Sequence, residues 1–230
     1  MKKIVVLTGA GVSAESGIKT FRDAGGLWEG YDVMEVASPQ GWQKNMELVL
    51  EFYNQRRRQL KEVKPNAAHY ALVELEERFE VSIITQNIDD LHERAGSSSI
   101  IHLHGELLKA RSTKDPSLIY DWTEDINPGD YCKLGGQLRP HIVWFGEAVP
   151  MIEPAAIETM TADAVIIIGT SMQVYPAAGL VSFAEQARHI YYVDPKPAIN
   201  YELSRAASLT VIDEAATTGV PKVVKELLGK

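Results

Sequence analysis

Residues 4–14 read Ile4-Val5-Val6-Leu7-Thr8-Gly9-Ala10-Gly11-Val12-Ser13-Ala14. An apolar, β-branched start predicts a strand buried on both faces, as inside a parallel sheet. The run stops at a G-x-G-x-x-A turn. Glycine there lets the backbone bend tightly and approach a phosphate, and a following helix N-terminus favours negative charge. An ordinary strand-to-helix turn accounts for the same residues. A dehydrogenase of this pattern places an acidic ribose ligand about 20 residues on, after a second strand. Here the chain instead runs into Gly17-Ile18-Lys19-Thr20-Phe21-Arg22-Asp23, with no strand pattern. The turn therefore belongs to a dinucleotide site of unusual construction, or to no standard dehydrogenase.

Working outward, short apolar runs recur at residues 81–85, 100–103, 142–144, 164–168, 190–193 and 209–212. Helical patterns fall at 42–63, 67–79, 152–160, 177–187 and 221–228. Strands alternating with helices predict an α/β fold, a Rossmann-like parallel sheet with helices on both faces. Two stretches break the alternation. Residues 24–64 hold a loop and a long helix but no convincing strand. Residues 109–138 are polar, with turn signals at Asp115-Pro116, Asn127-Pro128-Gly129 and Gly135-Gly136. Read as insertions, they build a smaller module beside the sheet. The expected organisation is one unit over 1–230: a core of about 1–23, 65–108 and 139–230, and a module of about 24–64 and 109–138.

The length of 230 residues, with 45% hydrophobic and 23% charged, suffices for one sizeable core. A net charge of −8 argues against nucleic acid as the main partner, since phosphate binding needs a basic face. Arg56-Arg57-Arg58 is the notable basic cluster. A single cysteine, Cys132, excludes an intrachain disulfide scaffold, and a cytoplasmic setting is expected. The apolar run after Met1-Lys2-Lys3 is too short for a signal peptide. No stretch approaches the roughly 20 apolar residues of a membrane span.

Four further clusters carry chemistry. Thr85-Gln86-Asn87-Ile88-Asp89-Asp90-Leu91-His92 begins where open α/β sheets place ligands. Its amides and carboxylates suit ribose hydroxyls or a carboxamide. A helix N-cap explains one of the two acids, but not Gln86-Asn87 as well. In Ile100-Ile101-His102-Leu103-His104-Gly105-Glu106, alternation puts both histidines on one strand face. Metal ligation, catalysis and plain packing are all open, and spacing alone favours packing. His104, before a glycine, is better placed to reach a cleft, and an imidazole of pKa about 6.5 can take a proton at neutral pH. Gly169-Thr170-Ser171 follows Val165-Ile166-Ile167-Ile168 and suits a phosphate or ribose, or is a plain loop. Asp194 follows Tyr191-Tyr192-Val193 and suits ribose hydroxyls, or is a turn residue before Pro195.

Together these clusters resemble the sirtuin family. Gly9-Ala10-Gly11-Val12-Ser13 with Gly17-Ile18 and Phe21-Arg22 looks like its first signature. Thr85-Gln86-Asn87-Ile88-Asp89 with Leu91-His92 looks like the second, and His104-Gly105 resembles the catalytic histidine motif. Arg139-Pro140, Val143 and Phe145-Gly146-Glu147 resemble the peptide-binding segment, and Gly169-Thr170-Ser171 with Val174 and Pro176 completes the order. Two departures stand out. Lys19-Thr20 replace the proline usual after Gly17-Ile18. Most sirtuins also hold a structural zinc through two cysteine pairs, which tetrahedral thiolate ligation requires. This chain offers Cys132 alone. Structural zinc is not expected, and Leu118, Ile119, Tyr120 and Trp122 are expected to pack the module instead.

The resemblance implies an NAD-dependent protein-lysine deacylase that consumes NAD and acts on acylated lysines of other proteins. It implies His104 as base, with Asn87 catalytic beside it. NAD would lie against Gly9, Ala10, Gly11, Ser13, Ala14, Phe21, Arg22, Trp28, Gln86, Asn87, Ile88, Asp89, Gly169, Thr170, Ser171, Asp194 and Ala215. The acyl oxygen attacks the anomeric carbon as nicotinamide leaves, and His104 deprotonates the ribose hydroxyl system. The 2′-oxygen then attacks the acyl carbon and water completes release of lysine, so the products are nicotinamide, free lysine and O-acyl-ADP-ribose. Val143, Trp144, Phe145, Gly146 and Glu147 would meet the substrate, pairing with its backbone as an added strand, with Trp144 and Phe145 along the lysine tunnel. Tyr53 and Arg56, spaced i, i+3, share a helix face and suit a carboxylate, as in the subgroup preferring succinyl- or malonyl-lysine. Arg56 on a solvated arginine face is the other reading. An ADP-ribosyltransferase or NAD hydrolase on the same scaffold is the alternative function.

Overall fold

Residues 4–7 form the middle of the first strand of a computed structural model, which describes residues 2–19, 27–28 and 30–230. Along the chain the strands are β1 (Lys3–Thr8), β2 (Leu27–Trp28), β3 (Tyr31–Asp32), β4 (Glu80–Thr85), β5 (Ile100–His102) and β6 (Gly105–Ser112). They continue as β7 (Ile119–Asp121), β8 (Leu138–Ile142), β9 (Ala164–Ile168), β10 (His189–Val193) and β11 (Leu209–Ile212). The helices are α1 (Val33–Val36), α2 (Pro39–Lys44), α3 (Met46–Glu62), α4 (Ala67–Leu75), α5 (Leu91–Ala95), α6 (Ile152–Met160), α7 (Tyr201–Ser204) and α8 (Ala216–Leu228).

Among the described residues the main sheet has six strands in the order β11-β10-β9-β1-β4-β5, paired in parallel. The chain starts centrally at β1, moves outward through β4 and β5, and returns to the other side of β1 at β9. This is the doubly wound order, and its reversal between β1 and β9 is the switch point where such sheets bind ligands. Helices cover both faces. Ile4 and Val6 face a layer with α4 and α8, through Leu72, Leu75, Val220 and Val223. Val5 and Leu7 face Ala155 of α6, Leu180 and Val181. All four residues of the run are buried, which explains a continuous apolar strand rather than an alternating one. Each such side chain contributes roughly 1.5–3 kcal/mol.

Local signals misplaced several elements. The single helix expected at 42–63 is broken at Asn45, whose side chain accepts from the Leu48 N–H at 3.0 Å and caps α3. The helix expected at 221–228 starts at Ala216, with Pro221 inside it; a distant residue caps its start, as the Thr217 N–H donates to Glu15 at 3.0 Å. Residues 177–187 give a 3-10 helix over Ala177–Phe183. Residues 24–64 do contain strand, the short β2-β3 ladder.

The strand expected at 142–144 is displaced. It forms as β8, and Val143 and Trp144 leave the ladder. Pro140 is tolerated because β8 is an edge strand, paired only with β6 in the sheet β7-β6-β8 among the described residues. β6 runs through the expected module boundary at 109, burying Leu107, Ala110 and Ser112 and leaving Lys109 and Arg111 less covered. Leu50 of α3 joins Ala110, Ile126, Cys132 and Leu138 in one cluster, flanked by Leu118, Tyr120 and Trp122. Ile119, expected to pack there, is exposed. The Cys132 thiol donates to Ser112 Oγ at 3.1 Å and accepts from the Gly136 N–H at 3.3 Å. Among the described residues no group of three or more His, Cys, Asp or Glu could hold a metal ion, and no helix is long and apolar enough to cross a membrane.

Candidate active site

At the switch point, the turns after β1 and β9 touch. The Gly9 N–H donates to Ile168 O at 3.0 Å and the Gly11 N–H to Gly169 O at 2.8 Å. A Cβ on Gly11 would stand 2.5 Å from Gly169 Cα; one on Gly169, at φ +61°, would stand 2.4 Å from Val12 N. Glycine is thus required first by turn-on-turn contact. Nor does a full helix follow at once. Ala10–Val12 and Ala14–Ser16 are single 3-10 turns, with Ser13 between them, so the expected helix-dipole attraction for phosphate is weak here. What the turns leave is a small-residue rim at the sheet's carboxyl edge, which fits a dinucleotide.

Polar side chains bridge the two turns. The Gln86 amide donates to Thr170 Oγ1 at 3.1 Å, tying the end of β4 to the end of β9. The Asn87 amide donates to Gly9 O at 3.2 Å and to Ser13 Oγ at 3.3 Å. Ser13 donates in turn to Asp89 Oδ2 at 3.0 Å, and Asp89 Oδ1 accepts from the Leu91 N–H at 3.1 Å. Asp89 therefore fixes the turn that leads into α5 and orients Ser13, while the N-cap position itself is Asp90, whose side chain makes no cap bond. Burial pushes its carboxyl up to about 6, against the pull of its two donors. Ile88 packs sideways into the α3 cluster.

His104 lies in the turn between β5 and β6. The strand ends at His102, so alternation does not put the two histidines on one face. The expectation rests on alternation continuing through Leu103 to His104, which requires the strand to run on past His102. The break comes from Gly105 at φ +85°, where a Cβ would meet His141 O at 2.0 Å. His104 Nδ1 donates to Gln86 O at 3.1 Å. That bond fixes the tautomer with its lone pair on Nε2. Burial holds the ring below the usual histidine range, although the Gln86 carbonyl opposes this. His104 is consequently a neutral, oriented imidazole at neutral pH. A shallow concavity lined by Lys2, Phe79, Asp163, Arg188 and Tyr191 lies at the opposite, amino-terminal edge of the sheet.

The third wall comes from α3 and the segment after β8. Trp144 is buried, its indole N–H donates to the Tyr53 hydroxyl at 3.1 Å, and its ring lies 5.6 Å from that of Trp42. The Arg139 guanidinium stacks 3.2 Å above Trp144 and donates to Glu147 Oε1 at 2.7 Å. Glu147 also accepts from Arg111 and from the Trp144 N–H. The Val143 N–H donates to His104 O and the Phe145 N–H to Ala37 O, both at 2.9 Å. Residues 145–146 turn outward, exposing Phe145 and Gly146. Tyr53 and Arg56 are both buried. Arg56 lies over the Phe52 ring at 3.3 Å and donates to Phe52 O at 2.6 Å. The arginine cluster is not a solvated face. Arg57 is the most buried of the three and donates to Leu107 O and Asn54, while Arg58 alone is solvated and pairs with Asp125 and Glu51.

The Sir2 family's sequence model matches residues 9–176. The chain belongs to this family. It is 60% identical over 228 residues to an NAD-dependent protein deacylase of Helicobacter pylori, covering 99% of this chain and 98% of the relative. A protein of the same description from Bacteroides thetaiotaomicron is 53% identical, with coverage of 99% and 98%. A crystal structure of a Sir2 homologue–NAD complex matches with a TM-score of 0.88 at 38% identity, covering 99% of this chain and 90% of that one. A Sir2 bound to acetylated peptide matches at 0.79 and 28%, with coverage of 98% and 93%.

Within this Sir2-family site some expected residues stand apart. Phe21 and Arg22 lie outside the described residues, and Trp28 is described only as part of β2. Asp194 is buried and accepts from the Lys196 N–H at 2.8 Å, which is the turn role. Ser171, Ala14 and Ala10 are half-buried beside the two turns, and Ala215 precedes α8. Arg139 is the residue that sequence reasoning underused: it was part of a motif, yet only the fold shows it holding Trp144. His92 is another. Buried beneath the site, it bonds Thr8 Oγ1 at 3.2 Å, its ring 4.8 Å from that of His69.

Proposed function

We propose that the chain is an NAD-dependent protein-lysine deacylase whose acyl pocket favours groups ending in a carboxylate. The observation that carries this reading is His104. A neutral histidine, oriented through Gln86 O, stands beside two interlocked glycine turns at the switch point. NAD would supply an electrophilic anomeric carbon, which the acyl oxygen of the substrate would attack as nicotinamide leaves. Gly9, Ala10 and Gly11 face the pyrophosphate, and Thr170, Ser171 and Asp194 the adenosine side. Most of the turn N–H groups are engaged within the chain, so the turns contribute shape and close approach more than donors. Ser13, Gln86, Asn87 and Asp89 hold the ribose adjoining the nicotinamide. His104 Nε2 would take the proton from that ribose's hydroxyl system, its oxygen would attack the acyl carbon, and water would complete release of the lysine amine.

Acylated lysine side chains of proteins are the substrates in this reading. The exposed turn at Phe145 and Gly146 is where a peptide would approach, and Trp144 with Tyr53 lines the path to the acyl group. Arg56 supports the acidic preference: it is a guanidinium one helical turn from a phenol, in a buried wall. Turning away from Phe52, it offers a bidentate partner to a carboxylate. The test is one peptide carrying acetyl-, succinyl- or malonyl-lysine, incubated with NAD and followed by mass spectrometry. Succinyl or malonyl release with O-acyl-ADP-ribose is expected. NAD cleavage with no acyl transfer, or ADP-ribose appearing on the peptide, overturns the deacylase reading.

A further inference from the structure

His102 has no part in the chemistry above, yet its ring lies between two acceptors. Nδ1 is 3.1 Å from the Asn87 carbonyl oxygen, and Nε2 is 2.6 Å from Oε1 of Glu93 on α5. A neutral imidazole carries one N–H and satisfies one acceptor; only the imidazolium donates to both. Neither partner can supply the missing proton. One is a main-chain carbonyl. The other is a carboxyl that burial would raise but the His102 bond and charge hold below its usual range. The 2.6 Å contact is shorter than neutral N–H···O bonds and fits a charge-assisted pair better than a neutral one.

We infer that His102 is a positioning residue which, as an imidazolium, ties the main chain of Asn87 to α5 and so holds the Asn87 side chain against Gly9 and Ser13. The inference rests on Asn87 belonging to the NAD site. Burial disfavours the cation, but Glu93, the Asn87 carbonyl and Glu106 of β6 outweigh it, so the ring titrates above the usual histidine range. Around it, Lys109 is engaged by Glu106, Asp89 lies on the site side, and His92 lies below and stays neutral. On deprotonation the carboxylate, the stronger acceptor, keeps Nε2–H. The Nδ1 lone pair then faces the Asn87 oxygen, and the tie becomes a repulsion. His102 and His104, two residues apart, thus need opposite charge states.

Two measurements on the full chain test this. Nitrogen NMR of the histidine rings, without NAD, should find one ring that remains imidazolium above the ordinary pKa of about 6.5. That ring should vanish in His102→Gln, and its pKa should fall by about one unit or more in Glu93→Gln. Calorimetric NAD affinity should weaken on the alkaline side by on the order of tenfold, the loss of one charge-assisted hydrogen bond. In Glu93→Gln that limb should move to lower pH by the same amount as the ring's pKa. A His102 ring that is neutral throughout overturns the inference, as does an alkaline limb unmoved by Glu93→Gln. No NAD binding by the wild-type chain at any pH would remove the functional reading and, with it, this inference. NAD binding that ignores Glu93 removes this inference alone.

Discussion

The Gly11 N–H donates to the Gly169 carbonyl at 2.8 Å, and through that bond the first strand's turn is seated on the turn after β9. Neither residue has room for a side chain, because the nearest atoms to an added Cβ are backbone. Gly11→Ala should therefore force the turns apart, costing about 1–3 kcal/mol. The expected result is a lower Tm together with weaker NAD binding. An unchanged Tm would show that the turns can separate freely.

Removing the imidazole of His104 should abolish turnover without abolishing NAD binding, since its one ring hydrogen bond among the described residues is to the Gln86 carbonyl. His104→Ala is the variant, with turnover and calorimetric affinity measured together. In the wild type the base must be neutral. Because burial lowers its pKa, kcat/KM should rise with pH along an acidic limb centred below about 6.5. Turnover retained in His104→Ala would reassign the base.

Arg56→Met keeps much of the arginine's apolar stem and removes the charge. Burying an acyl carboxylate without its partner costs on the order of 3 kcal/mol or more. Desuccinylation should then fall roughly a hundredfold. Deacetylation should hold or improve. Intact desuccinylation alongside reduced deacetylation would assign Arg56 to packing on Phe52 instead.

Cys132 is bonded to Ser112 and Gly136 within an apolar cluster, and the module is read as standing without metal. A strong chelator should leave Tm unchanged. Cys132→Ala should lower stability by about 1–2 kcal/mol through the lost contact and the Gly136 N–H left without its sulfur acceptor. One tightly held zinc per chain in elemental analysis would overturn the metal-free reading.

His69 is fully buried, and burial lowers its pKa to about 4. Its Nδ1 accepts from the Asn66 N–H at 3.2 Å, closing the capping box of α4. A base with a depressed folded pKa favours the native state only while neutral. Stability should be full above about 6.5 and decline as pH falls toward 4, by on the order of 3 kcal/mol in total. Glutamine at the same position can accept the cap bond without titrating. His69→Gln should flatten that acid decline in pH-dependent denaturation; an equally steep decline would place the acid sensitivity elsewhere.

Much of this was written locally. The run Ile4 to Leu7 determined a doubly covered strand, because a strand apolar at every position needs cover on both faces. The glycine turn, the Gln86–Asp89 cluster and His104 were legible because their residue types are costly to keep without a use. The order of the sheet was not legible, and the order brings residues 9–11 against 169–171. Nor was the role of Arg139, or the break after His102, since each depends on a partner far away in sequence. The sequence by itself determined the six strands of the main sheet, the glycine turn at their centre and the ionisable groups, while the small module's strands were missed or displaced. Only the tertiary structure decided what each group faces. That is why two histidines of the same local chemistry differ: His104 meets one carbonyl and stays neutral, while His102 meets a carbonyl and a carboxylate and holds its charge.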